Sequence, residues 1–135
     1  MALPNGGGGY QVGTGNRNEP VMGAMAVPQT ATATATLSAA QVVNQMLVAN
    51  PSATAAIYTL PTGALIDAAV PNATVGSTFD LSIVNIGTSS GTVTLATATG
   101  ITDGGNAFVA LPITSSGIFR FRKTGDGTFT VYRVG

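Results

Sequence analysis

Gly117-Ile118-Phe119-Arg120-Phe121-Arg122, followed after Gly125-Asp126-Gly127 by Thr128-Phe129-Thr130-Val131-Tyr132-Arg133-Val134, is the stretch that decides the fold. Its period of two puts Phe119 and Phe121 on one face and Arg120 and Arg122 on the other, the pattern of a strand with one buried side. A Gly-rich break between two such runs predicts an antiparallel hairpin. The register is well specified, because a slip of one residue would bury both arginines and expose both phenylalanines.

The same texture extends towards the N-terminus. Thr78-Phe79-Asp80-Leu81-Ser82-Ile83 sets Phe79, Leu81 and Ile83 against Asp80 and Ser82, and Thr92-Val93-Thr94-Leu95-Ala96 alternates after a turn cluster at Gly87 to Gly91. Asp103-Gly104-Gly105-Asn106 reads as a tight turn leading into a strand Phe108-Val109-Ala110-Leu111, which Pro112 ends. Further back, Ala55 to Leu60 reads as a strand, and Thr30 to Thr36 alternates Thr with Ala in the manner of a small-residue strand. Two short helices interrupt this order. Ser38 with Gln41 fits a capping box, with Val42, Val43, Met46 and Leu47 at helical spacing up to Asn50-Pro51. Pro61-Thr62 opens the second, Ala64 to Ala69, and Pro71-Asn72 stops it.

Strands at roughly ten-residue spacing predict an all-β domain, a small antiparallel β-sandwich or jelly roll with one or two short helices, over residues 30–135. Residues 1–29 differ. Gly6 to Gly9, Gly13, Gly15 and three prolines leave no hydrophobic period, so this stretch reads as an extended Gly/Pro-rich arm. Its spaced apolar residues Tyr10, Val12, Val21, Met22 and Met25 are candidate anchors on a partner surface.

Charged residues make up only 7% of the 135, five of each sign, and the chain has no His, Cys or Trp. A typical soluble domain is roughly 25% charged. A surface of Thr, Ala, Ser and Gly suits packing against copies of itself or a partner. Without His and Cys, the usual general bases and thiol nucleophiles are missing, so a structural or binding protein is expected ahead of an enzyme, with no catalytic residue, cofactor or metal assigned. Zero net charge argues against nucleic acid as a general ligand, since phosphate binding needs a basic excess. No apolar run approaches the roughly 20 residues of a membrane helix, and the N-terminus lacks the features of a signal peptide.

The glycines at 6–9, 13 and 15 do not form a phosphate loop, having no strand before them, no helix after and no Gly-Lys-Ser/Thr. Asp67, Asp80, Asp103 and Asp126 are too scattered for a calcium loop, and turn chemistry accounts for Asp103 and Asp126. The group Arg120, Arg122, Lys123 and Arg133 on neighbouring strands predicts a shared solvent face, with Arg120, Arg122 and Arg133 as a basic partner-binding patch.

Thr59-Leu60-Pro61-Thr62-Gly63-Ala64-Leu65-Ile66, Val75 to Asn85, Ser116 to Phe121 and Phe129 to Val134 together resemble, in texture and order, small virion proteins of tailed bacteriophages, among them capsid decoration (cement) proteins. The resemblance covers roughly residues 30–135 and carries no catalytic motif. It implies a β-rich homotrimer on the outer capsid surface, bound to the major capsid protein, with an N-terminal arm reaching over neighbouring shell subunits. A tail, fibre or carbohydrate-binding module of a virion is the alternative it leaves open.

Overall fold

The computed structural model describes residues 23–135, so the candidate anchors Tyr10, Val12, Val21 and Met22 lie outside the described residues. The described part is mostly β, with two short helices and a mixed sheet. In chain order its elements are β1 (Gln29–Ala31), β2 (Ala35–Thr36), α1 (Ala39–Val43), β3 (Met46–Ala49), β4 (Ala56–Thr59), α2 (Gly63–Ala69), β5 (Thr78–Asn85), β6 (Val93–Ala96), β7 (Ile101–Gly105), β8 (Ser115–Gly125) and β9 (Thr128–Arg133). Six of the strands form one sheet in the order β1-β3-β5-β8-β9-β7, and three form another in the order β2-β4-β6.

The antiparallel expectation holds for β5 with β8 and for the β8–β9 hairpin, and it is corrected elsewhere. β1 pairs with β3 and β3 with β5 in parallel; so do β2 with β4, β4 with β6, and β7 with β9. The chain lays successive strand pairs, β1–β2, β3–β4 and β5–β6, one beside the next, placing the first member in the larger sheet and the second in the smaller. Parallel neighbours cannot be joined by a tight turn. Here the return from one pair to the next carries α1 or α2.

Four local expectations change as well. Thr30 to Thr36 is two short strands, one in each sheet. The first helix stops at Val43, because Gln45 adopts φ +78° just past the C-cap Asn44, and Met46 and Leu47 continue as β3. Asp103 to Gly105 lies within β7, whose pairing with β9 shifts register there. Phe108 to Leu111 is not a strand; Leu111 makes an isolated bridge to Val93. The capping box is present as read, with Gln41 N–H donating to Ser38 Oγ at 3.1 Å and Ser38 N–H to Gln41 Oε1 at 2.9 Å.

One hydrophobic cluster joins the two sheets and both helices. Leu47, Leu81, Ile83, Phe119, Phe121, Phe129 and Val131 enter it from the larger sheet, Ala56, Tyr58, Val93 and Leu95 from the smaller, and Val42 and Ile66 from α1 and α2. Phe79 is half-buried at its margin, stacked on Phe121 with ring centroids 4.9 Å apart and edge-on to Phe129 at 6.3 Å. Burying each such ring is worth about 1.5–3 kcal/mol. Asn85 is the buried polar knot: its side-chain amide donates to the Gly91, Leu111 and Pro112 carbonyls at 3.1–3.3 Å and its Oδ1 accepts from Gly87 N–H at 3.0 Å.

Candidate interaction surface

On β8 the alternation directs Arg120 and Arg122 outward and Phe119, Phe121 and Lys123 inward. Asp80 lies directly opposite Arg120 in register, and the two meet in a two-pronged pair, Nε to Oδ1 at 2.8 Å and Nη2 to Oδ2 at 3.0 Å. The guanidinium holds the Asp80 carboxyl below the usual carboxylate range, and the carboxylate raises Arg120 in turn. Both side chains are more than two-fifths exposed, so solvent screening leaves the pair little weight in stability. Its consequence is electrostatic: Arg120 is already neutralised.

The structure does not gather the predicted basic face. Arg122, opposite Thr78 and Thr130, shares the outer face with Arg120. Arg133 stands opposite Phe119 and so projects to the other side of the sheet, beyond the core, with Nε donating to the Gly135 carbonyl at 3.3 Å. Lys123 is buried. Its Nζ donates to Asp67 Oδ1 at 2.6 Å and to the Ala73 carbonyl at 3.2 Å, while Asp67 Oδ2 accepts the Gly127 N–H at 2.9 Å. The lysine ammonium, then the Gly127 N–H, lower the Asp67 pKa. This clasp ties α2 to the β8–β9 hairpin. The signal for it was the period of two itself, since 119, 121 and 123 fall on one face.

Met25, the one predicted arm anchor among the described residues, reaches the larger sheet. With Met46, Thr78, Phe79, Asp80 and Arg120 it lines a groove of about 500 Å³. The groove exists because β3 begins at Met46, opposite Ser82, so that Thr78 to Leu81 of β5 have β8 on one side and no strand on the other among the described residues. Ser82 N–H donates towards β3, to the Gln45 carbonyl at 2.8 Å. By the alternation of strand hydrogen bonding, Thr78 and Asp80 turn their N–H and C=O groups to that same side. Nothing in the sequence pattern announces this gap, because it depends on where β3 starts in its neighbour's register.

Asp103 Oδ1 accepts the Gly105 and Ala107 N–H groups at 2.9 and 3.1 Å, the backbone role expected of it. Among the described residues, no three or more His, Cys, Asp or Glu side chains stand together as a metal site, and no helix is long and apolar enough to cross a membrane. The arrangement offers binding surface: a strand edge without a partner among the described residues, small side chains, and the cations Arg122 and Arg133, which make no ion pair among the described residues. In comparisons with known proteins, no family profile, no curated protein and no solved structure matches the chain.

Proposed function

We propose that the chain is a virion structural protein, a capsid decoration (cement) protein that sits as a homotrimer on the outer surface of a phage head and stabilises contacts between major capsid protein subunits. The observation that carries this reading is the uncharged, strand-edged end of the domain. β1 and β2 are the edges of the two sheets and are largely exposed, and no charged residue occurs between Glu19 and Asp67. Proteins that live alone usually blunt such edges with lysine or other charge. An end left unblunted suits a permanent protein neighbour. In this reading the two sheets pack as a sandwich, which their common core supports. A trimer multiplies weak contacts through effective concentration, so no single contact has to be strong.

The test is co-sedimentation with virus-like shells assembled from the major capsid protein. The purified chain is expected to pellet with the shells and to raise the temperature at which they come apart. Protein left in the supernatant at saturating shell concentration would overturn the reading.

A further inference from the structure

We propose that Asp126 is a site of spontaneous isomerisation to isoaspartate, and that the Asp67 clasp holds it in check by binding the one nitrogen through which the reaction runs. Asp126-Gly127 is the turn between β8 and β9, closed by the Gly125–Thr128 pair, and Asp126 is exposed. An aspartate followed by glycine is the dipeptide most open to this chemistry, because no side chain on the second residue shields its nitrogen or restricts its turning. The Gly127 nitrogen attacks Asp126 Cγ, and its proton leaves with the carboxyl hydroxyl as water. A second water then opens the succinimide ring. Opening at the original peptide carbonyl leaves Gly127 joined through Cγ, so the main chain gains one atom while the mass is unchanged.

In the folded chain the Gly127 N–H donates to Asp67 Oδ2 at 2.9 Å, on a carboxylate that Lys123 Nζ fixes through Oδ1 at 2.6 Å. A proton shared with an anion is harder to remove, and the nitrogen cannot turn towards Asp126 Cγ without giving up that bond. The carbonyl of Gly127 is confined as well. A Cβ on Gly63 or on Gly100 would overlap its oxygen, so three glycines meet there backbone to backbone. Beside them the Gly100 carbonyl accepts the Phe129 N–H at 2.9 Å. An added main-chain atom at 126 would displace Gly127 from this contact and lift α2 from the hairpin. The other Asp-Gly pair, Asp103-Gly104, is held differently: its carboxylate accepts the Gly105 and Ala107 N–H groups and has no part in the clasp.

Asp103 therefore serves as a gauge of general loosening in the same chain. Full-length protein is aged in warm neutral buffer made with heavy-oxygen water and digested, and isoaspartate and incorporated heavy oxygen are measured at 126 and at 103. In guanidinium both sites should isomerise, and in the folded parent 126 should be slow. Asp67→Ala should raise the rate at 126 about tenfold, the worth of one hydrogen bond to a charged group, and leave 103 unchanged. Lys123→Met, which loosens the clasp but keeps the acceptor, should raise it less. No isoaspartate at 126 even in guanidinium overturns the site. Equal acceleration at 103 and 126, or an equal effect of Lys123→Met, assigns the protection to packing and overturns the role of the Asp67 bond. A slower rate at 126 in Asp67→Ala makes the carboxylate a base in the reaction and overturns it too. Protein isomerised at 126 should melt lower than the parent; an unchanged melt overturns the coupling to α2.

Discussion

Lys123 shows how much a single position can be misjudged when charge is read before periodicity. The run of alternating faces through Phe119 and Phe121 carries it inward, yet its charge places it by default with the solvent-facing arginines. The structure follows the periodicity and answers the charge with Asp67. Because the folded Asp67 carboxyl titrates below its unfolded value, the clasp contributes stability above the ordinary carboxylate range and loses it as pH falls through the folded value. The melting temperature is therefore expected to drop below about pH 4. The Asp67→Asn protein should be less stable than the parent at neutral pH and show a shallower acid decline; equal slopes would remove the clasp from the account. Phe121 and Arg122, adjacent on β8, make the complementary case. Phe121→Ala empties a fully buried site and should cost about 3–5 kcal/mol, whereas Arg122→Ala should stay within roughly 0.5 kcal/mol. Thermal melts of the two variants check this, and the reverse order would overturn the facing of the hairpin.

At the scale of elements, the strands were readable wherever one face is buried along an unbroken run, as in β5, β6, β8 and β9. Pairing partners were not. Alternation reports which side of a strand is apolar, and it is silent about whether the neighbour runs parallel or antiparallel, or which sheet the strand joins. Thr30 to Thr36 illustrates the limit: one uniform pattern serves two sheets because the chain crosses between them at Thr32 to Thr34. The open edge of β5 was hidden for the same cause. The break between α1 and β3 was obscured by Val42, Val43, Met46 and Leu47, whose helical spacing is coincidental once Gln45 turns left-handed. A non-glycine residue in that conformation costs about 1–2 kcal/mol, and glycine fits it without the penalty. Gln45→Gly is thus expected to melt higher than the parent, the gain reduced by glycine's larger unfolded entropy. A lower melting temperature would show that the Gln45 side chain contributes packing worth more than the strain. Gly63, at the head of α2, makes the opposite prediction. A Cβ there would overlap the Gly127 carbonyl, so Gly63→Ala should push α2 from the hairpin and lower the melting temperature, most visibly by weakening the Asp67 clasp. An unchanged melt would show that the backbone yields cheaply.

For the whole molecule, the distribution of charge matters more than its sum. Every charged residue of the described part lies at or beyond Asp67, so β1 to β4 and α1 form a charge-free end, while the charges collect on α2, β5 and the C-terminal strands. Two sheet edges at the charge-free end carry exposed Thr and Ala, whose small side chains allow backbones to approach closely. Like-charge repulsion, the usual guard against edge pairing, is missing there. A chain with this layout is expected to self-associate through that end, and the closed symmetry of most oligomers favours a ring over an open filament. The prediction is a homotrimer by sedimentation equilibrium at tens of micromolar. Ala33→Lys, in the crossing between the two edge strands, should shift the equilibrium towards monomer without lowering the melting temperature of the monomer, because Ala33 is exposed and outside the core. Deleting residues 1–22 should leave the described domain folded, since its buried residues from Leu37 to Val131 already form one cluster, and should weaken attachment to shells. If Ala33→Lys remains fully trimeric, the charge-free end is not where copies meet. The partner of that end would then have to be sought in the shell itself, with co-sedimentation of Ala33→Lys as the deciding measurement.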